Sequence, residues 1–472
     1  MAVFSVIKLS ELEGAKRIDA EYYDPEYLEV KQKLLKKKFV YFKNLVKEII
    51  HPKEIKREYE EEKQDYLFLL AQNVRPLMFD LSEKKFISEE KAKLMPKNLL
   101  EKGDILFVRS GNVGDLTVYT GEPKKIIASS DLLIAKPTFK FSYYLGVFLT
   151  TNYGQKILIR GIYSGLQPHI APSYIKTIPI PILPEEIIRR TEILYLKAQN
   201  LLKQSESLYS QAESLLLEEL GLKDFKPRYK KTYTAKLSDT FSAYRIDAEY
   251  FQPVYEEILS TVSKKHRIEF LKKIFDFRRG IFISTDYYTE EKTSRPYIRI
   301  KELTGKTGID ESKIIYIKDN YPIDEANSLQ ENDIVIAIIG DTIGKTNRIY
   351  KELSGGFCSN NTGRLRIKKE LNKEIIPEYA EILFQSVIIQ SQIEKKKTQT
   401  GQPKISDKEI KSILIPILPL STQQQIASLV QKSHETRKKA KELLEIAKKA
   451  IEIAIEKNEK EALDYISKSE EK

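Results

Sequence analysis

The sequence predicts an α+β protein made of two tandem α/β domains and two long α-helices packed as an antiparallel coiled coil. Three observations carry this expectation: a motif that recurs half-way along the chain, short β-branched runs bounded by Gly, Asn and Asp in each half, and an unbroken helical period that closes each half.

The repeat comes first because it dictates the rest. The hexapeptide Arg17-Ile-Asp-Ala-Glu-Tyr22 returns as Arg245-Ile-Asp-Ala-Glu-Tyr250, and Lys8-Leu-Ser10 returns in the same register as Lys236-Leu-Ser238. Further on, Gly103-Asp-Ile-Leu106 answers Asn332-Asp-Ile-Val335, with glycines following in both copies at Gly111 and Gly114, and at Gly340 and Gly344. Gly165-Leu-Gln-Pro168 answers Gly401-Gln-Pro403, and the proline-punctuated run 178–184 answers 413–419. Between these blocks the copies diverge, as in 69–75 against 297–301, which suggests two related readers of different ligands.

Within one copy the expected order is a helix at Pro25 to Lys38 (Pro253 to Lys265), with Pro in the first turn, and then buried strands at 104–108 (333–339). A short helix at Phe141–Tyr153 (Ile376–Lys395), the Gln-Pro loop and the proline-rich strand complete the copy. After the last proline the apolar spacing becomes seven: Ile187, Leu194, Leu201, Leu208 and Leu215, with the small residues Thr191, Ala198, Ser205 and Ala212 four further on. Ala440, Ala447 and Ala454, with Leu444 and Ile451, repeat the pattern in the second half. The rods would be about 54 and 58 Å long. The competing expectation is that each helix lies on its own domain. The predicted boundaries are a first domain over 1–184, a spacer helix over 185–220, a linker over 221–235, a second domain over 236–419, a second spacer helix over 420–460 and a tail over 461–472.

Composition narrows the function. The 472 residues are 41% hydrophobic and 31% charged, enough apolar material for real cores. An excess of 79 Lys and Arg over 68 Asp and Glu gives +11, which favours a polyanionic partner. One cysteine, Cys358, excludes an internal disulfide and points to a reducing, cytoplasmic setting; with four histidines it also argues against a Cys/His zinc cluster. Residues 1–14 lack the pattern of a signal peptide, and no run approaches 18 apolar residues, so no membrane is expected.

Catalytic chemistry is not legible. The segment Gly340-Asp-Thr-Ile-Gly-Lys-Thr346 imitates a phosphate loop but has three residues between its glycines where four are needed, so a strand-end turn is expected. His51, His169, His266 and His434 show no metal spacing, and no Asn-Pro-Pro-aromatic tetrapeptide for gripping a flipped adenine occurs. No cofactor or metal is expected.

With the tandem copies, the Asp-Ile-aliphatic plus glycine-turn blocks (103–114 and 332–344), and the closing loop, strand and long helix (Gly401–Ile405, 413–419, Gln425-Ile426), the chain resembles the specificity (S) subunits of type I restriction-modification systems. The resemblance implies a non-catalytic DNA-recognition subunit. It implies one target-recognition domain per half of a bipartite duplex target, and helices that dock methyltransferase subunits, two in number, with restriction subunits in the full complex. The first copy departs from the pattern, because 184–190 has no Gln at the helix start.

The DNA-contacting candidates are Gln72, Asn73, Arg75, Arg109, Asn112, Gln167 and His169 in copy one. In copy two they are Arg278, Arg279, Arg299, Lys301, Asn360, Asn361, Arg364, Gln402 and Lys404, with Lys395, Lys396 and Lys397 as the strongest basic cluster. The helix seam is expected at Leu194, Ala198, Leu201, Leu208, Ala212, Leu215, Ala440, Leu444, Ala447 and Ile451. A protein-interaction scaffold with incidental charge, or a fused enzyme, is the competing class.

Overall fold

The computed structural model describes residues 5–470 apart from 14–16, 57, 58, 60–65, 139, 164–167, 227, 323 and 372. The chain forms two compact units, one of residues 1–203 with 436–472 and one of residues 204–435. Each contains one copy of the repeat.

Both units are organised around a four-stranded antiparallel sheet with the same strand order. In the first unit the order is Val46–Ile50, Leu132–Pro137, Ile105–Val108, Leu116–Val118; in the second it is Phe275–Arg279, Thr362–Ile367, Ile334–Ala337, Thr346–Arg348. The strands Ile105–Val108 and Ile334–Ala337 are buried along their whole length, which is why they read as continuous aliphatic runs. A smaller sheet lies beside each, and in both it contains one parallel pair: Tyr66–Leu69 with Ile126–Ala128, and Pro296–Ile298 with Phe357–Cys358. The proline-punctuated strands lie in two-stranded sheets, Pro179–Pro181 against Phe39–Tyr41 and Leu414–Ile417 against Arg267–Phe270. There a missing N–H removes no central ladder bond.

The opening helices form at Pro25–Leu35 and Pro253–Ser263. The single short helix expected after the sheet is instead two helices in each unit, Ser142–Thr150 then Asn152–Arg160, and Pro377–Gln385 then Val387–Lys396. The break is made by an extended hydroxyl residue. Thr151 caps the second helix by accepting from the Gly154 N–H and donates to the Phe148 carbonyl; Ser386 donates to the Leu383 carbonyl. A Cβ on Gly154 would lie 2.3 Å from the Phe148 carbonyl oxygen, so the first unit's corner requires glycine there, whereas the second carries Ile389 at the matching position.

The recurring Arg-Ile-Asp motif ties each opening segment to the end of that second helix. Arg17 pairs with Asp19 and donates to the Ile162 carbonyl at 2.9 Å; Arg245 pairs with Asp247 and donates to the Lys396 and Lys397 carbonyls. Tyr144 and Tyr379 each donate to a carbonyl of the proline strand, at Pro181 and Pro416.

The long helices are Glu185–Glu219 and Leu420–Glu456. In the first unit Leu194 and Ala198 share a core with Ala440, Leu444, Ala447 and Ile451, with Leu201 packed against it. In the second, Ala212 shares a core with Ile426 and Val430, with Leu215 against it, and Leu208 is half-buried. The start of one helix thus lies with the end of the other in each unit. The small seam residues Thr191, Ala198, Ser205 and Ala212 are fully buried, and the Ser205 and Ser433 hydroxyls meet at 3.0 Å. The same helices also lie on their own domains: the Tyr195 hydroxyl donates to the Val118 carbonyl at 2.7 Å. Gly221, at φ +72°, ends the first helix. Residues Glu459–Glu470, expected as a tail, form a helix buried through Ala462 and Ile466.

Candidate nucleic-acid interface

In the second unit the glycine turn and the Gln-Pro loop, far apart in sequence, meet at one end of the main sheet, and in the first the glycine turn meets His169, which follows the corresponding loop. In the second unit the Gly340 N–H donates to the Pro403 carbonyl at 2.9 Å and the Ile405 N–H to the Ile338 carbonyl at 3.1 Å, so the loop before Ile405 lies beside the turn 340–344. The Ile338 N–H donates to the Asn361 carbonyl, and the Gly280 N–H to Thr362, which brings the end of strand Phe275–Arg279 and the turn 359–362 to the same edge. The first unit repeats the frame: the Arg109 N–H donates to Asp131, and Ser110 bridges to His169. Gly340 and Gly344 lie at φ +88° and +87°, and Gly111 and Gly114 at +91° and +107°. These left-handed conformations make a strand-end turn, and Thr346, which would face a metal in a phosphate loop, is buried in a strand.

Gln155 and Gln390 lock the turns. Each carboxamide bridges the glycine-turn carbonyl (Gly114, Gly344) and the last turn of the preceding helix (Leu149, Phe384). Sequence reading missed both; the only signal was that a Gln recurs at the same distance before the two proline strands.

The sequence-selected residues divide into two groups. Exposed at or near this edge are Asn112, Arg279, Asn360, Asn361, Gln402 and Lys404, with Arg109 and His169 half-buried; Lys301, also exposed, follows strand Pro296–Ile298 of the smaller sheet. His169 Nδ1 lies 2.9 Å from the Ser110 hydroxyl. Gln72, exposed, donates to Glu83, and half-buried Arg75 faces Asp80 at 3.8 Å on a hairpin beside Leu116. Arg278 is exposed and donates to the Ala326 carbonyl. Gln167 lies outside the described residues.

The second group serves the fold. Asn73 is buried, and its carboxamide accepts from the Leu70 N–H and donates to the Asp80 and Glu83 carbonyls, closing a turn. Arg364 is buried against Asp276 and the Ala326 and Ser328 carbonyls, and burial, with Arg366 close by, pushes its pKa down. Arg299 grips the buried carboxylate of Glu302 and the Lys313 carbonyl. The Lys395–Lys397 cluster, expected to be the strongest DNA contact, is engaged at home: Lys395 with Glu256 at 2.5 Å, Lys396 with Glu409 at 3.3 Å and Lys397 with Glu394 at 2.7 Å. All three stems are mostly covered.

A second polar cluster joins a helix of the sheet domain to the long helix within the second unit. Glu381 is buried, with His434 Nε2 at 2.8 Å from one oxygen and Arg348 Nε at 2.8 Å from the other. Burial alone would raise the Glu381 carboxyl, but His434 and Arg348 outweigh it and hold it at about 2. No group of three or more His, Cys, Asp or Glu among the described residues could hold a metal, and no described helix is long and apolar enough to cross a membrane.

Residues 267–448 match the family described as the type I restriction modification DNA specificity domain. No curated protein matches the chain. Among solved structures, the type I restriction-modification S subunit from M. genitalium is similar at 14% identity, covering 87% of this chain and 93% of that one, with a TM-score of 0.39. The HsdS subunit from Thermoanaerobacter tengcongensis is similar at 12% identity over 89% and 97%, with a TM-score of 0.29. The matched residues contain most of the second copy, including its main sheet, its glycine turn and its Gln-Pro loop, and the first copy repeats the strand order of that sheet. The second copy of the repeat thus carries a type I restriction modification DNA specificity domain.

Proposed function

We propose that the two sheet ends are the DNA-reading edges, one per half-site of a bipartite duplex target, and that the long helices dock methyltransferase subunits, two per chain, with restriction subunits joining the full complex in the cytoplasm. One observation carries the reading: the described backbone hydrogen bonds of the edge recur in both units while its side chains differ. Asn360, Asn361 and Lys404 stand in the second where Ser130, Asp131 and His169 stand in the first. A shared frame with changed side chains is what two half-sites of different sequence require, since base edges specify and phosphate contacts position. Lysines at the edge supply the sequence-independent attraction.

The test is a domain exchange. Replacing residues 1–180 by the corresponding domain of a relative, and sequencing the methylated sites in cells that carry the system, should change one half-site and leave the other intact. A change in both halves, or a continuous target, would overturn the assignment. Absence of salt-sensitive duplex binding, with methyltransferase present, would return the chain to the scaffold class.

A further inference from the structure

We propose that Arg279, held by Asp407, reads a guanine in the half-site of the second domain. The inference rests on the DNA-reading function above and assigns it to one side chain.

Arg279 ends the edge strand of the main sheet, and its backbone has little room to move. Gly280 follows, its N–H bound to the Thr362 carbonyl, and a Cβ there would lie 2.2 Å from the Ser359 carbonyl oxygen. The side chain is fixed as well. Nε and Nη2 donate to the same Asp407 oxygen at 3.2 and 2.7 Å, and Asp407 opens a short helix capped by Ser406. Of five guanidinium N–H groups two are engaged; three remain, two on Nη1 and one on Nη2, and the outer fork of one from each nitrogen matches the O6 and N7 acceptors of guanine. Arg279 is 44% exposed and Asp407 45%, so the fork is reachable while its orientation is set before any ligand arrives.

The neighbouring arginines do not offer this. Arg364 and Arg366 are held internally by Asp276 and Asp333. Arg278, next in the strand, points to the opposite face and donates to Ala326. In the first unit the repeat places His51 where Arg279 stands, with Nε2 3.1 Å from the Ser130 carbonyl, and Pro172 where Asp407 stands. The held arginine therefore belongs to the second half-site alone.

Selection of duplexes from a randomised pool by the full-length chain, with methyltransferase present, tests this, using wild type, Arg279→Gln, Arg279→Lys and Asp407→Asn. Wild type should enrich a sequence with G·C at one position of one half-site. Arg279→Gln should lose discrimination at that position by about 5- to 150-fold, with every other position retained, the other half-site serving as the control for folding. Arg279→Lys should lose the same discrimination while keeping its charge, and Asp407→Asn should weaken it at the same base pair. Unchanged base preference in Arg279→Gln, or an affinity loss equal on all sequences, would overturn the inference and leave DNA reading in place. No enriched sequence from wild type would overturn both.

Discussion

Gln390 donates from Nε2 to the Gly344 carbonyl at 2.9 Å, and so fastens the glycine turn to the helix pair behind it. Gln155 does the same for Gly114 at 3.0 Å. Because the turn carbonyl loses this donor, Gln390→Ala should destabilise the second unit by about 1–2 kcal/mol. It should also raise amide exchange at residues 340–344 while leaving 111–114 unchanged. Hydrogen exchange read by mass spectrometry checks both; equal exchange in the two proteins would remove the clamp.

Glu381 supplies a pH dependence whose sign is fixed. Its folded value of about 2 lies below the ordinary 4.5, so its contribution to stability is complete above about 4.5 and is lost as pH falls towards 2. The difference corresponds to a few kcal/mol. Urea unfolding of wild type and Glu381→Gln at pH 7 and at pH 3 should show a gap between the two proteins that narrows at the lower pH.

Salt titration separates surface lysines from those engaged in the fold. Lys301→Gln and Lys404→Gln should each lower the slope of log affinity against log salt, by up to about 0.9 per lost phosphate contact. Lys395→Gln, Lys396→Gln and Lys397→Gln should leave the slope unchanged, because each lysine is already paired with a carboxylate of its own domain. Equal slopes for the two sets would refute the distinction.

Ala198 and Ala447 are fully buried in one core of the first unit. Tryptophan at either site should cost about 1–3 kcal/mol through overpacking. An unchanged Tm in both variants would take these residues out of the seam.

What the sequence made legible was whatever the repeat or a local period encodes. The hexapeptide at Arg17 and Arg245, the aliphatic strands and the heptad of Leu194 and Ala198 all needed only neighbours in the chain to be read. Partnerships across long separations were not legible. Lys395 looked free because Glu256 lies 139 positions away, and Arg279 looked like any other arginine because Asp407 is 128 positions further on. The corner at Thr151 was hidden by apolar residues on both sides, which are buried whichever way the chain turns.

The core of the first unit includes Ala440, Ala447, Ala462 and Ile466, near the end of the chain, whereas the second unit is complete at residue 435. During synthesis the order of assembly is therefore reversed with respect to the order of translation. The domain that leaves the ribosome first must wait, with part of its apolar surface uncovered, until residues 436–470 emerge, while the domain that follows it can close at once. Truncation of the final residues accordingly falls on the N-terminal domain, the one furthest from the cut in sequence.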